Sequence, residues 1–140
     1  MSRIAKAKAP FASRADDSGT NALELSLWKQ AGILPSGSWY IETGQGMGET
    51  LTIADQKQAY TLSDRGTFLA TSGLESKIEF EGSDDLRNNY SVIVVDHKGT
   101  NTACAGEFSA WILEKSVQQE IAKFGVAKYG QQLFVPDALN

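Results

Sequence analysis

Short apolar segments alternate with helical patterns three times in the first half of the sequence, and this alternation limits the folds that the chain can adopt. Residues 11–13, 39–43 and 60–62 have the apolar character of buried strands. Each is followed by a polar or glycine-containing junction and then by apolar residues at helical spacing. We therefore predict an α/β fold, in which a mixed sheet carries helices on its faces.

Apolar residues three or four positions apart mark three helices behind these strands. They are Leu23, Leu27 and Ala31 with Trp28 beside them in the first, Met47, Leu51 and Ala54 in the second, and Phe68 and Leu69 in the third. Gly32 is expected to end the first helix, since glycine commonly follows a helix C-terminus. Ser63 is expected to cap the third helix, because its hydroxyl can accept a hydrogen bond from a free backbone N–H.

Two further strands and two helices are predicted in the second half of the chain. Residues 77–81 alternate apolar and charged side chains, and residues 90–95 are apolar and β-branched. The polar stretch 82–89 between them predicts a boundary between two parts of the chain. The helices are marked by Phe108, Trp111 and Ile112, and by a capping box of Ser116 and Gln119 with Gly125 as the stop.

Composition excludes several classes of function. The net charge of −4 argues against a nucleic-acid partner, which would need a basic face. No apolar run has the length of a membrane span, and the basic first ten residues lack the apolar core of a signal peptide, so we expect none in this chain. One cysteine and one histidine exclude an internal disulfide and metal sites built on several cysteines or histidines. We expect no metal, no cofactor, no catalytic residue and no enzymatic activity.

Five single residues that chemistry often uses have simpler structural interpretations. His97 lies between a predicted strand and Lys98, which favours an exposed turn. Cys104 has no histidine or second cysteine beside it, which favours a small buried helix residue. The core is the expected place for Trp28, Trp39 and Trp111.

The stretch from Arg14 to Thr20 is the most informative candidate site. It joins a predicted strand to a helix N-terminus, where free backbone N–H groups and the helix dipole favour an anion. Arg14 adds a planar fork of donors that suits a tetrahedral oxyanion, Ser18 and Thr20 add hydroxyls, and Gly19 lets the anion approach the backbone. The alternative is an ordinary helix cap by Ser18 or Thr20, with Arg14 in a surface ion pair.

Carboxylates complicate that site. Asp16 and Asp17 beside a dianion cost Coulomb energy, unless they turn away, accept backbone N–H bonds or hold Arg14. Together with Glu42 and Asp64 they form an alternative site for a hard cation such as Mg²⁺ or Ca²⁺. A metal-dependent hydrolase that uses Asp16, Asp17 and Asp64 is therefore one alternative function, although no calcium-loop spacing supports it.

Two other strand–helix junctions are secondary candidates for the anion site. The first contains Gly46, where glycines can expose backbone donors, and its alternative is a flexible turn without a nucleotide-binding motif. The second contains Ser63 and Arg65. Arg65 is either a second basic group at the cleft or an ordinary residue of a first helical turn.

Four segments resemble the tungstate-binding proteins of bacterial ABC transporters. In order they are SRADDSGT (13–20), LWK and AGI (27–29 and 31–33, taken together), WYIETGQGMG (39–48) and AYTLSDRGT (59–67). The resemblance continues through Phe124-Gly125 and Tyr129-Gly130 to residues 134–137. That family usually has glycine at the position of Ala15.

The resemblance implies a two-lobed periplasmic-binding-protein fold of type II that captures tungstate or molybdate between its lobes. Arg14 and Thr20 map onto family ligands, the location is periplasmic, and the full-length partner is an ABC transporter permease. Residues 10–88 resemble the second lobe, and residues 89–140 the returning strand and C-terminal helices of an incomplete first lobe. Tungstate, molybdate and sulfate share charge and shape, so the sequence does not choose among them. A truncated interaction domain or homodimer that pairs through an exposed sheet edge is the alternative.

Overall fold

The structure is a computed structural model that describes residues 1–136 and 138. These residues form two compact units, Met1–Asn88 and Asn89–Asn140, each of which is described by itself. Asp137, where the family resemblance ends, lies outside the described residues. Within the described part of the chain, no helix combines the length and apolarity that crossing a membrane would need.

The first unit alternates helices and strands around a three-stranded sheet. The helices are α1 (Ser2–Ala7), α2 (Gly19–Gln30), α3 (Met47–Gln56) and α4 (Arg65–Ala70), the strands are β1 (Phe11–Ser13), β2 (Tyr40–Glu42) and β3 (Tyr60–Thr61), and a 3₁₀ turn covers Asp84–Leu86. The strand order is β2-β1-β3, with both pairings parallel. The predicted α/β alternation is confirmed, but these strands are all parallel where we expected a mixed sheet.

The core of this unit lies between the central strand and the helices that follow it. Phe11 of β1 packs edge-on against Trp28 of α2, with ring centroids 5.1 Å apart. Both are buried, as are the three residues that predicted the second helix, which are Met47, Leu51 and Ala54. The helix expected there is confirmed as α3, because its apolar side chains share one face.

The buried face of α2 differs from the predicted one. Asn21, Glu24 and Trp28 are buried, whereas Leu23 and Leu27 are only half-buried. The spacing of the leucines therefore predicted the position of the helix correctly. The face that it predicted to be buried was wrong. A polar cluster on the buried side, described below, compensates the burial of Asn21 and Glu24 through hydrogen bonds.

Ser63 does not cap the third predicted helix, because Asp64 does. The Asp64 carboxylate accepts hydrogen bonds from the backbone N–H of Thr67 at 2.7 Å and from its hydroxyl at 2.8 Å. Ser63 instead donates to the carbonyl of Asp64 at 2.9 Å. Asp64 is one residue closer to the helix start, so its carboxylate reaches the free N–H groups first.

Residues 77–81 do not form the predicted strand. No described segment pairs with them, and Phe80 is 73% exposed. The alternation of apolar and charged residues has the two-residue period that is typical of a strand. A strand also needs a neighbour whose backbone groups complete its hydrogen bonds.

The second unit contains three helices, which are α5 (Thr102–Ile112), α6 (Lys115–Lys123) and α7 (Val126–Tyr129). Residues 90–95 do not form the predicted strand, and Ile93 is 78% exposed. β-branched residues favour a strand mainly because they pack against a neighbouring strand. Among the described residues, none forms such a neighbour for this segment. The two predicted helices are confirmed as α5 and α6.

Details of the second unit correct several single-residue predictions. Trp111 and Cys104 are exposed rather than buried. Ser116 lies inside α6 rather than at its cap, and Glu114 precedes the helix without a side-chain cap. His97 lies in an exposed turn, as predicted, and its carbonyl accepts from the N–H of Thr100 at 3.0 Å.

Gly125 follows the end of α6, as predicted. Its φ of 87° lies in the left-handed region. A Cβ at this position would also lie 2.5 Å from Cγ of Leu133, so both backbone conformation and packing favour glycine.

Candidate functional site

The carboxyl ends of three parallel strands meet at one edge of the sheet, and every predicted site residue follows one of them. Residues 14–18, the β1–α2 loop, follow the central strand. Gly46 follows β2, and Ser63 follows β3. β2 and β3 lie on opposite sides of β1, so the junction after the central strand lies between the other two.

The β1–α2 loop is a tight turn with two residues in the left-handed region. Ala15 has a φ of 48° and Asp17 a φ of 57°. The Asp17 N–H donates to Oδ1 of Asn21 at 3.2 Å, and the Ser18 N–H donates to Oδ1 of Asp16 at 3.2 Å. These two hydrogen bonds hold a left-handed backbone conformation that residues other than glycine rarely adopt.

Ser18 is the N-cap of α2, in agreement with the alternative interpretation of the sequence. Its hydroxyl accepts the backbone N–H of Asn21 at 3.3 Å. Gly19 and Thr20 follow at the first two helical positions. Among the described residues, their backbone N–H groups and the Thr20 hydroxyl have no hydrogen-bond partner. The space beside Gly19 is open, since nothing lies within 4 Å of a Cβ built there.

Arg14 forms the ion pair that the same alternative interpretation predicts, but the pair leaves a donor unused. Its Nη2 lies 2.5 Å from Oδ2 of Asp16. Its Nε is shielded from solvent and has no hydrogen-bond partner among the described residues. An unsatisfied shielded N–H is costly, so this donor is the unusual feature of the loop.

The Asp16 carboxylate links the guanidinium of Arg14 to the start of α2. One of its oxygens contacts Arg14 and the other accepts the Ser18 N–H. Hydrogen bonds from the Ser18 hydroxyl and N–H, and the guanidinium of Arg14, hold the pKa of Asp16 below its ordinary value. Asp16 therefore stays charged and keeps Arg14 beside the helix N-terminus.

The secondary candidates do not offer comparable donors. Oε2 of Glu49 lies 2.9 Å from a Cβ built on Gly46, so a carboxylate already lies at the start of α3 and disfavours an anion there. The Ser63 hydroxyl donates to a backbone carbonyl. Arg65 forms an ion pair with Glu81.

The alternative cation site is not assembled. No group of three or more histidine, cysteine, aspartate or glutamate side chains lies in position to hold a metal ion within the described part of the chain. Asp16 pairs with Arg14, and Asp64 caps α4. Each of these two carboxylates therefore already has a structural role.

Glu24 is the residue near the site that the sequence analysis missed. It is 2% exposed and accepts four hydrogen bonds, although no salt bridge of the described residues involves it. The donors are the Ser13 hydroxyl (2.5 Å), Nδ2 of Asn21 (3.4 Å), Nε1 of Trp28 (2.7 Å) and the Tyr40 hydroxyl (2.9 Å). The signal in the sequence was the spacing of Asn21, Glu24 and Trp28, which puts all three on one face of a helix.

Tyr40 shows how the polar cluster formed by Glu24 and its four donors joins α2 to the sheet. Burial raises the pKa of Tyr40 to about 12, and the hydrogen bond to Glu24 and its charge add to the rise. The phenol therefore remains a donor at neutral pH. The carboxylate of Glu24 thus joins β1, through Ser13, to β2, through Tyr40.

Comparisons with known proteins agree with this architecture. A family model described as "PBP superfamily domain" matches residues 2–116. The chain is 42% identical, over 99% of its own length and 50% of the relative's, to the tungstate-binding protein TupA of Peptoclostridium acidaminophilum. It is 44% identical, over 98% of its length and 42% of the relative's, to a putative ABC transporter anion-binding protein of Haloferax volcanii.

A solved structure gives the same result. The tungstate-binding protein TupA of Desulfovibrio alaskensis G20 superposes with a TM-score of 0.75 at 36% identity, covering 97% of this chain and 58% of that protein. The chain spans about half the length of the curated relatives it matches. The periplasmic-binding-protein-like fold inferred from the sequence resemblance is confirmed, and the chain belongs to the family of PBP superfamily domains as a homologue of tungstate-binding proteins.

Proposed function

We propose that this chain is the substrate-binding component of a tungstate or molybdate ABC transporter, or a part of that component, and that it binds a tetrahedral oxyanion at the β1–α2 loop and the start of α2. The observation that carries the proposal is the set of unused donors at one place in the fold. They are Nε of Arg14, the backbone N–H groups of Gly19 and Thr20, and the Thr20 hydroxyl.

The physical chemistry of these donors suits a dehydrated dianion. The first N–H groups of a helix carry partial positive charge, and the guanidinium of Arg14 adds a full charge beside them. Asp16 holds Arg14 in place through an ion pair, so it brings one negative charge close to the positive one. Capture of this kind needs no bond making or breaking, so the proposed role is binding without catalysis.

The family relationship supports the choice of ligand. Two relatives carry the name tungstate-binding protein and one the name putative ABC transporter anion-binding protein. By this analogy the chain would act in the periplasm, deliver its ligand to a membrane permease and require no cofactor or nucleic acid. Among the site residues, Arg14, Gly19 and Thr20 are the proposed ligands, and Ser18 supports them as the helix cap.

Calorimetric titration of the chain with tungstate, molybdate and sulfate tests the proposal. We expect tungstate or molybdate to bind with a dissociation constant in the micromolar to millimolar range, which corresponds to about 4–8 kcal/mol. Affinity should fall as salt rises, because dissolved ions screen the attraction between Arg14 and the anion. The absence of heat with all three anions at millimolar concentration would contradict the proposal.

A further inference from the structure

We propose that Glu24 is a positioning residue for the β1–α2 loop and that it acts through the side-chain amide of Asn21. The inference rests on the proposed function, because the loop it positions carries Arg14 and leads to the donors of Gly19 and Thr20. What carries it is a chain of hydrogen bonds whose donors and acceptors leave only one arrangement. Glu24 makes no proposed contact with the anion.

Glu24 behaves as a pure acceptor in its pocket. Oε1 accepts from Trp28 and Tyr40, and Oε2 accepts from Ser13 and Asn21. Each carboxylate oxygen therefore receives two hydrogen bonds. Its burial is compensated entirely by neutral donors, and the loss of one donor leaves the oxygen that it contacted with one bond fewer.

The acceptor character of Glu24 fixes which way the Asn21 amide points. Nδ2 of Asn21 donates to Oε2 of Glu24 at 3.4 Å and to the Ser13 hydroxyl at 3.3 Å. The opposite end of the amide, Oδ1, therefore points to the loop and accepts the N–H of Asp17 at 3.2 Å. Reversing the amide would place its NH₂ group against the Asp17 N–H, donor against donor.

The Asp17 hydrogen bond matters because of the conformation it holds. Asp17 has a φ of 57° and directly precedes Ser18, the residue that begins α2. Without its acceptor, the Asp17 N–H loses its partner and the left-handed turn loses a support. The guanidinium of Arg14 and the N–H groups at the helix start would then share no fixed geometry.

Glu24→Gln separates polarity from shape. Nε1 of Trp28 is only a donor, so the amide oxygen of the new glutamine stays on that side, and its NH₂ group faces Asn21. Two donors then oppose each other, and the Asn21 amide reverses. The loop should loosen although the side chain has changed little in volume.

A second substitution restores the polarity. In the double variant Glu24→Gln with Asn21→Asp, the carboxylate at position 21 accepts both from the glutamine NH₂ group and from the Asp17 N–H. This compensation is specific to a positioning role. If Glu24→Gln only lowered the stability of the core, replacing the amide at position 21 by a carboxylate would not restore the hydrogen bond to Asp17.

The test measures hydrogen exchange of the Asp17 amide, together with calorimetric titration with tungstate. For Glu24→Gln we expect exchange to quicken about tenfold and tungstate affinity to fall about tenfold, in line with one lost hydrogen bond. In the double variant, Asp17 exchange should return close to the wild-type rate. Tyr40→Phe, which removes a donor on the far side of the carboxylate, should leave Asp17 exchange unchanged.

Unchanged Asp17 exchange and unchanged tungstate affinity in Glu24→Gln would overturn the proposal, as would a double variant that exchanges as fast as the single one. If Glu24→Gln does not fold, Asn21→Ala removes the same acceptor from Asp17, and unchanged exchange and affinity there would overturn it equally. The proposed function fails separately, if the wild-type chain binds no tungstate while the exchange results hold.

Discussion

Arg14 is the residue on which the proposed site depends most. Its Nη2 is paired with Asp16, whereas its Nε is shielded and unpaired. The sequence supplied the charge and its place after a strand. The sequence did not show that Nη2 would pair with Asp16 while Nε stays without a partner, because that depends on how the loop folds back.

Arg14→Ala should weaken oxyanion binding by about 1.5–3 kcal/mol, which is roughly tenfold to hundredfold, because it removes a charge-assisted contact. Arg14→Lys should recover only part of the loss, since an ammonium lacks the planar fork. Calorimetric titration with tungstate measures both. Arg87→Ala is the matched control, because Arg87 forms an exposed pair with Asp84 and should not affect binding. Equal affinity of Arg14→Ala and wild type would remove Arg14 from the site.

Ala15 occupies a position whose φ of 48° favours glycine. The left-handed conformation costs an alanine about 1–2 kcal/mol, and the greater freedom of glycine in the unfolded chain offsets part of the gain. We expect Ala15→Gly to raise the free energy of unfolding by about 0.5–1 kcal/mol, measured by urea denaturation. Ala22→Gly, in the interior of α2, is the control and should lower it by about 1 kcal/mol. A less stable Ala15→Gly variant would show that this turn does not strain the alanine.

At the scale of elements, α2 joins the loop to the sheet through a polar face. The sequence predicted α2, α3 and α4 from their apolar residues, and α3 followed its pattern closely, whereas α1 was not predicted. It failed for the buried face of α2, because Glu24 and Asn21 are polar and are stabilised there by Ser13 of β1 and Tyr40 of β2. The strands predicted at 77–81 and 90–95 failed for a related reason, since a strand depends on its neighbour.

The link between α2 and β2 predicts a pH dependence at Tyr40. Its pKa is about 12 in the folded chain and about 10 when unfolded, so the folded state holds its proton where the unfolded state releases it. The resulting contribution to stability is complete below pH 10 and is lost as the pH rises from about 10 to about 12.

Urea denaturation of wild type and Tyr40→Phe at pH 9 and pH 11 isolates this effect. The stability advantage of the wild type should shrink by about 1 kcal/mol between the two values, less than the full shift implies because the ring is half-exposed. A constant difference between the two proteins would mean that the folded state does not hold the proton of Tyr40.

At the scale of the whole molecule, the second unit leaves many large apolar side chains exposed. Tyr90, Ile93, Phe124 and Val135 are each more than half exposed. Patches of this kind favour association. The homodimer considered from the sequence was expected to pair through a sheet edge, and these apolar side chains are a different surface through which association is predicted.

Sedimentation measurements at micromolar concentration should show species heavier than the 15.1 kDa chain. Ile93→Lys combined with Val95→Lys should lower the mass toward that of a monomer, because charge on an apolar patch opposes its burial. Ser26→Lys, on the exposed side of α2, is the control for added charge. A wild-type chain that sediments as a monomer would exclude association through this surface.

A nuclear magnetic resonance titration with tungstate tests whether a tetrahedral oxyanion binds where β1 passes into α2. We expect the backbone N–H signals of Gly19 and Thr20 and the Nε–H signal of Arg14 to shift together and to saturate at one dissociation constant. Signals from residues 46–48, at the start of α3, should stay in place. Shifts confined to residues 46–48, or no shift at Gly19, Thr20 and Arg14 at millimolar tungstate, would contradict it.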